Sequence, residues 1–449
     1  MIMGQRMMKK KMGMSLGAIA VTLALSQSIA AQSLKDVVVQ TIESNPNVLT
    51  AVRRKDAADS AVEGAKSGYY PRIDWLWGTG REQTHNQTTR NNFPGQDYVH
   101  MNRKQEGVTL NQMIWDGFGT KSEVDRRQAI SDSAAHKAYG TVEDIALQAI
   151  ESYLEVLKNR EKVVYARENL KAHQRTFDQV KLRSDKGVGR RADLEQIAAR
   201  LALAQSNQLA ADSKLREAEI TYLKVVGKPP GNLTRPPSPP NVPKTVDEAV
   251  RVGLANHPVL KSAQSDVEAA QAQRELSRSF LSPRIEVEAS YTNNKNIDGV
   301  AGADRDRMIM LWLKWNLFRG FFDKHRLDET AYQINEASEI ARNTHRQVEN
   351  AVRLRYNNYA TARDRMPQLD RYVKAADSTR EAYNQQFSIG QRTLLDLLDS
   401  ENEFYTARTE FIDAQFVDLI QRYYILNAMG MLLSSLDVAP PDQSLVKNQ

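Results

Sequence analysis

Hydrophobic and polar residues alternate along four short segments of the chain, which are arranged in two pairs. The clearer pair has apolar residues at every second position over 284–291 and 308–317. The earlier pair occupies 73–77 and 108–115, with a polar loop rich in Asn, Thr and Gln at 84–104 between its members. Alternation of this kind predicts β-strands with one apolar face. The sequence therefore predicts two β-hairpins, at about 71–116 and 284–318.

Helices are predicted on both sides of each hairpin. One helix opens each half of the chain (34–66 and 246–280), one follows the strands (about 120–186 and 323–388), and one returns after a glycine turn (about 190–226 and 391–430). The first returning helix has apolar residues spaced by three and four positions, which is the coiled-coil spacing. At 1.5 Å per residue, each long helix forms a rod of roughly 100 Å. The two shorter helices, stacked end to end, would match that length.

The second half of the chain repeats the first. When the sequence is aligned with itself, Asn45-Pro46 falls on His257-Pro258 and Tyr153 falls on Tyr356. A repeat of this length is a large supersecondary assembly rather than a solenoid unit. The predicted division is a signal peptide at 1–31, a first repeat at 32–227 with its tip at 187–189, a Pro-rich linker at 228–244, a second repeat at 245–436 with its tip at 389–392, and a C-terminal tail at 437–449.

The N-terminal segment has the features of a secretory signal peptide. Arg6 and three lysines precede an apolar run at 16–25, and Ala30-Ala31 offers a cleavage site. Removing these four charges from the 61 basic residues leaves 57 against 55 acidic ones, so the basic pI says little about nucleic acid, and no nucleic-acid partner is expected. The chain contains no cysteine, so neither disulfides nor a lipid-bearing cysteine are expected.

Four strands are too few to close a membrane barrel, which needs about eight. Because an open strand edge is not tolerated in lipid, strands in a membrane would require several subunits. Three copies would supply twelve strands. The predicted fold is therefore a mixed α/β membrane protein, mainly α, with two tandem repeats. A trimeric 12-stranded β-barrel would continue into a long periplasmic α-helical barrel. A half-buried sheet in a soluble domain is the alternative interpretation of the strands.

Two motifs at the predicted tips resemble the TolC family of outer-membrane export channels, in its type I secretion branch. The segment 387–399 (FSIGQRTLLDLLD) resembles the second helical tip of that family, and 186–196 (KGVGRRADLEQ) resembles the first. The resemblance covers about 34–436. It implies a homotrimer in the outer membrane of a Gram-negative bacterium, in contact with membrane lipid. It also implies a periplasmic adaptor and an inner-membrane pump, either an ABC transporter or a proton-driven pump.

The resemblance also implies roles for residues near the tips. Asp396 and Asp399 match the acidic residues of the constriction, Arg392 matches the arginine that ties neighbouring helix pairs together when closed, and Asp193 matches one of its acidic partners. Phe387 stands where the family has a tyrosine that joins this network. Residues expected to dock the adaptor are Gly187, Val188, Gly189, Ile389, Gly390 and Gln391. Helix capping by the aspartates and positive φ at the glycines are equally compatible with these residue types.

The sequence contains no motif for catalysis. Its seven histidines form no zinc-binding pair, and neither a phosphate-binding loop nor a nucleophile elbow occurs, so we expect no enzyme activity and no cofactor. The favoured function is a passive exit duct for type I protein secretion, with a cargo such as an adhesin or toxin. The alternatives are the outer-membrane component of a multidrug or metal efflux pump, and a soluble periplasmic coiled-coil scaffold.

Overall fold

A computed structural model describes residues 32–446, which form ten α-helices and four β-strands. The predicted signal peptide (1–31) and the last three residues of the predicted tail lie outside the described residues. The elements are α1 (Leu34–Ser44), α2 (Pro46–Lys66), β1 (Arg72–Thr84), α3 (Gln87–Asn92), β2 (Val99–Trp115), α4 (Gly119–Asp185), α5 (Arg191–Val226), α6 (Val246–Asn256), α7 (Pro258–Ser279), β3 (Arg284–Ile297), β4 (Val300–Lys314), α8 (Phe322–Ser388), α9 (Leu394–Ala428) and α10 (Leu432–Ser435).

The long helices α4 and α8 begin and end within one residue of their predicted bounds, whereas the prediction of one opening helix per repeat was wrong. Each opening helix is divided before a proline, at Pro46 and at Pro258. A residue that precedes proline disfavours the helical conformation, and both Asn45 and His257 are extended. Their side chains accept hydrogen bonds from backbone N–H groups of the next helix, so the break also forms an N-cap.

The four strands form one antiparallel sheet in the order β1-β2-β3-β4. They are longer than predicted in the first hairpin, since β1 continues to Thr84 and β2 begins at Val99. The segment between the strands is therefore 85–98, shorter than the predicted loop at 84–104. Helix α3 lies within this segment. Large apolar side chains of β4 are exposed, with Ile309 81% and Leu311 67% accessible. The outer edges of β1 and β4 have no partner strand within the described residues.

Both repeats pass from strand to long helix by the same local structure. Phe118 and Phe321, at equivalent positions, precede α4 and α8 with φ of 66° and 65°. A left-handed conformation is unusual for a bulky side chain and must be held by its surroundings. Each ring packs edge-on against an aromatic ring three residues earlier, Trp115 in the first repeat and Phe318 in the second.

The Pro-rich linker crosses the helical rods at their middle and is held there by equivalent tyrosines of the two repeats. The hydroxyl of Tyr153 donates to the carbonyl of Thr234 at 2.5 Å and accepts from its N–H at 2.9 Å. The hydroxyl of Tyr356 donates to the carbonyl of Lys244 at 2.6 Å. The main hydrophobic core lies at this level, and it joins residues of α1, α2, α4, α5, α6, α8, α9 and α10.

Helix α4 lies alongside elements of both repeats. It packs against α2 and α5 of its own repeat and against α7 and α9 of the other. The end of α5 meets the junction of α1 and α2, where the Asn45 side chain donates to the carbonyl of Val225 at 3.3 Å. This is the end-to-end arrangement that the helix lengths predict. Within residues 32–446, none of the helices combines the length and the apolar character needed to cross a membrane.

Candidate functional site: the paired helical tips

Tight turns join α4 to α5 and α8 to α9, and glycine is required in both. Gly187 and Gly390 have φ of +77° and +79°, a conformation that residues with a side chain rarely adopt. Gly189 is required for a different reason, because a Cβ there would lie 2.7 Å from the backbone nitrogen of Ser184. Positive φ therefore explains two of the three predicted turn glycines, and close approach of the backbone explains the third.

Each of the two turns carries one apolar side chain that is largely exposed to solvent. Val188 is 79% and Ile389 is 68% accessible. The backbone beneath them is fixed, because the N–H groups of Val188 and Gly189 both donate to the carbonyl of Arg183, and that of Gln391 donates to the carbonyl of Gln386. All six predicted docking residues thus lie on two rigid turns at the ends of the long helices.

The second tip has a complete capping box. The Thr393 hydroxyl accepts from the N–H of Asp396, and the Asp396 carboxylate accepts from the hydroxyl and N–H of Thr393. These bonds, led by the one from the Thr393 side chain, lower the pKa of Asp396, and the Arg392 charge lowers it further. At the first tip the N-cap residue is Arg190, which forms no side-chain cap bond, although Asp193 lies in the first turn of α5.

Arg392 is bound by its own hairpin. Its guanidinium lies 4.2 Å from the ring centre of Tyr383, and its Nε donates to the side-chain oxygen of Gln386 at 2.8 Å. The Asp396 carboxylate is 3.8 Å away. In the described part of one subunit, no hydrogen bond or ion pair joins Arg392 to Asp193. A contact between these residues of neighbouring subunits stays a prediction.

Phe387 lies inside a small hydrophobic cluster where all four tip helices meet. The buried members are Val180, Ile197, Phe387, Leu394, Leu397 and Leu398. The guanidinium of Arg183 lies over the Phe387 ring at 5.2 Å from its centre, so α4 and α8 are joined by a cation–π contact. The contact requires an aromatic face and no hydroxyl, which is compatible with phenylalanine at this position.

Two tip residues were missed by the sequence reasoning. Arg183 covers Phe387, and Arg200 on α5 donates from Nη2 to Oδ1 of Asp399 on α9 at 3.1 Å. Arg200 follows Asp193 by seven residues in the sequence and therefore lies on the same face of α5. That spacing was a usable signal for Arg200, whereas no signal in the sequence indicated Arg183.

Fold and tips together define a class of protein: a subunit with two tandem repeats, each a β-hairpin followed by a helical hairpin of about 100 Å that ends in an exposed turn. The sequence model described as "Outer membrane efflux protein" matches residues 37–228 and 250–430. The chain therefore belongs to this family. The predicted resemblance to the TolC family is confirmed.

Relatives and solved structures agree with this membership. The chain is 24% identical to the outer membrane efflux protein BepC of Brucella suis biovar 1, over 92% of this chain and 88% of BepC. It is 24% identical to the outer membrane protein TolC of Escherichia coli K12, over 90% of this chain and 83% of TolC. It is 23% identical to the alkaline protease secretion protein AprF of Pseudomonas aeruginosa, over 88% of this chain and 84% of AprF. The crystal structure of CusC superimposes with a TM-score of 0.76 at 13% identity, covering 89% of this chain and 92% of CusC.

These findings establish the general function. The chain is an outer-membrane efflux channel of the kind that works in tripartite systems, with a helical extension on the periplasmic side. Members of the family are trimers that act with adaptor proteins and inner-membrane pumps, and they are channels rather than enzymes. Membership also sets aside the alternative of a soluble scaffold.

Proposed function

We propose that the chain is the exit duct of a type I protein secretion machine, opened at its periplasmic tips by an adaptor and an inner-membrane ABC transporter. The observation that carries this choice of cargo is the absence of cysteine from all 449 residues, since cysteine bears the lipid of the lipoprotein efflux branch. The name of AprF, a protease secretion protein, supports it as well. The name of BepC, an efflux protein, supports the alternative, a multidrug or metal efflux pump with a proton-driven partner.

The proposed assembly is a homotrimer. Within residues 32–446, strands β1 and β4 each have an outer edge with unpaired backbone groups, and an edge of this kind is not tolerated in lipid. Pairing β4 of one copy with β1 of the next would join twelve strands in a closed sheet. The exposed Ile309, Leu311 and Leu313 of β4, each more than 60% accessible in one subunit, would then face the lipid.

The proposed constriction lies at the tips. Asp396 and Asp399 of three subunits would form acidic rings that attract cations. Arg392 and Asp193 would join neighbouring hairpins while the channel is closed. Phe387 supports the closed tip through the hydrophobic cluster and the Arg183 contact. The adaptor would dock on the exposed turns, where Val188 and Ile389 supply apolar contact area and Gly187, Gly189, Gly390 and Gln391 shape the backbone.

Export of protein by a living cell tests the proposal. A strain that lacks the chain should lose particular proteins from its culture medium, and the intact chain should restore them. A chain with both Val188→Asp and Ile389→Asp should be inserted normally but should restore nothing, because adaptor docking is lost. If the deletion instead raises susceptibility to drugs or metals and leaves the medium unchanged, the efflux alternative is correct.

Arg392 can be tested in planar bilayers. Arg392→Ala removes the proposed contact with Asp193 of the neighbouring hairpin, together with the bond to Gln386 and the contact with Tyr383 that position the guanidinium. We therefore expect a higher single-channel conductance than that of the intact protein. Arg190→Ala removes an arginine next to the other turn and is the matched control. Equal conductance of Arg392→Ala and the intact protein would show that Arg392 does not hold the tip closed.

The acidic residues can be tested in the same preparation. The double variant Asp396→Asn, Asp399→Asn should lose its preference for cations and its block by trivalent cations, because both rings lose their charge. Each asparagine keeps the size of the side chain, so a loss of selectivity and of block reports the lost charge rather than lost side-chain volume. Block that persists in the double variant would place the ring elsewhere.

A further inference from the structure

The two carboxylates of the proposed constriction differ in the location of their partners. Asp396 is bound by Thr393 and approached by Arg392, and all three residues belong to the α8–α9 hairpin. Asp399 is bound by Arg200, which belongs to the α4–α5 hairpin. Movement of one hairpin away from the other would therefore leave Asp396 unchanged and remove the partner of Asp399.

The Arg200–Asp399 pair is held in register by packing. Arg200 follows Gly189 by eleven residues and Asp399 follows Gly390 by nine, so both lie about 15 Å from their turns. One helical turn before Arg200, Ile197 is fully buried beside Leu398, the residue that precedes Asp399. The hydrophobic cluster thus fixes the backbones from which the two charged side chains project.

We infer that Arg200 is a selectivity-determining residue, which masks the charge of Asp399 while the hairpins are together and exposes it when they separate. This inference rests on the proposed function, because it assigns a role within the same constriction. In the closed entrance Asp396 would keep Arg392 of its own hairpin nearby, and Asp399 would be masked by Arg200. Opening would leave Asp396 unchanged and free the carboxylate of Asp399, so it would increase the preference for cations as well as the aperture.

The side chains of Arg200 and Asp399 are 32% and 60% accessible, so this ion pair contributes little to the stability of the fold. An exposed ion pair changes an equilibrium by about 1.5- to 5-fold. Because three identical pairs act together in a trimer, their combined effect on the balance between closed and open tips reaches on the order of ten-fold. A change of this size is measurable in single-channel records.

Removing each partner separately distinguishes masking from a purely structural role. Arg200→Ala and Asp399→Asn both break the pair, so both should raise conductance. Their effects on selectivity should be opposite: Arg200→Ala exposes a carboxylate and raises the cation-to-anion permeability ratio, whereas Asp399→Asn leaves an unpaired arginine and lowers it. A role in packing alone would move the ratio equally in both variants, and that outcome would overturn the inference.

Three further proteins complete the experiment. Arg200→Lys keeps the charge and should behave as the intact protein does, and the exchange Arg200→Asp with Asp399→Arg should restore the low conductance. Arg216→Ala removes an exposed arginine from the same helix, about 24 Å away, and should change neither quantity. Oligomer mass confirms that each variant assembles.

The test of the masking role can fail independently of the test of protein secretion. If the intact protein forms channels and Arg200→Ala matches Arg216→Ala, the masking role fails even where protein export is normal. If the selectivity changes are found but the deletion strain exports its proteins normally, the secretion proposal fails and the masking role remains.

Discussion

Helices α4 and α8 occupy the same place in the two repeats and have the same length, 67 residues, yet they are buried to very different extents. Twenty-two residues of α4 are buried in the subunit, against nine of α8. The difference comes from their neighbours, since α4 packs against elements of both repeats, whereas α8 packs mainly against α6, α7 and α9 of its own. Helix α4 therefore lies in the core of the subunit, and α8 supplies much of its surface.

The comparison shows how a duplicated sequence acquires two roles. Apolar side chains of α8 are exposed in the single subunit, including Tyr332 (73%), Ile340 (57%) and Leu354 (56%). Apolar surface of this kind usually marks a contact with another molecule. In the proposed trimer, the neighbouring subunit would cover part of it. The same element would then act as a core helix in the first repeat and as an interface helix in the second.

The largest expected effect comes from the same substitution in each long helix. Leu154 on α4 is 3% accessible, and Leu354 on α8 is 56% accessible. Leu154→Ala removes buried methyl groups and should lower the free energy of unfolding by about 2–5 kcal/mol. Leu354→Ala should change the unfolding of the subunit by less than about 0.5 kcal/mol.

Denaturant unfolding of the detergent-solubilised protein measures the stability of the subunit. The temperature at which the trimer dissociates measures the strength of the contact between subunits. We expect Leu154→Ala to affect unfolding and Leu354→Ala to affect dissociation. Equal effects of the two substitutions on subunit unfolding would contradict the division into a core helix and an interface helix.

The next effect concerns a buried carboxylate. Glu143 on α4 is 1% accessible, and its two oxygens accept from the N–H groups of Leu432 and Leu433, each at 3.0 Å. The equivalent residue in the second repeat, Arg346 on α8, is exposed. Burial raises the pKa of Glu143 to about 7, although the two backbone bonds oppose the shift. The charged form is therefore disfavoured in the folded protein.

Stability should depend on pH through this group. Because the folded-state pKa lies above the ordinary value, Glu143 favours folding fully below about pH 4.5, and this contribution is lost as the pH rises through about 7. The shift corresponds to about 3 kcal/mol as an upper figure. Glu143→Gln should flatten the dependence of unfolding on pH between 5 and 7.5, and Arg346→Gln should leave it unchanged. An unaltered slope in Glu143→Gln would show that another group titrates.

The fold was predictable to the extent that it depends on local pattern. Period-two alternation located the strands, and helical spacing with glycine turns located α4, α5, α8 and α9 to within about three residues. Pro46 and Pro258 mark the breaks in the opening helices, but the helical pattern continues on both sides of each proline and predicts a single helix. The extension of β1 and β2 into the polar loop was not visible, since pairing between strands and not hydrophobicity maintains them there.

The site was predictable only in part. The turns and their glycines follow from backbone geometry, and the roles of Asp396 and Arg392 came from resemblance to a family. The partners of these residues could not be derived, because contacts such as Arg183 with Phe387 join positions about 200 residues apart. The register between the two hairpins determines such pairs, and that register depends on the packing of four helices together.

The smallest expected effect compares the two tips. Thr393→Ala removes the capping box at the start of α9 and should lower local stability by about 1 kcal/mol, within a usual range of about 0.5–2 kcal/mol. The first tip offers the opposite change, because its N-cap residue, Arg190, forms no side-chain bond. Arg190→Ser supplies a hydroxyl to the free N–H groups and should stabilise the first turn of α5 by up to about 1 kcal/mol.

Hydrogen exchange of the amides in the first turns of α5 and α9 measures both changes in one protein. In the intact chain we expect faster exchange at the first tip than at the second. Thr393→Ala should reduce this difference by speeding exchange in α9, and Arg190→Ser should reduce it by slowing exchange in α5. Thr409→Ala, in the interior of α9, is the control for loss of a threonine hydroxyl away from the tip. If exchange at the two tips is equal in the intact chain, side-chain capping does not distinguish them, and the adaptor would meet two turns of equal rigidity.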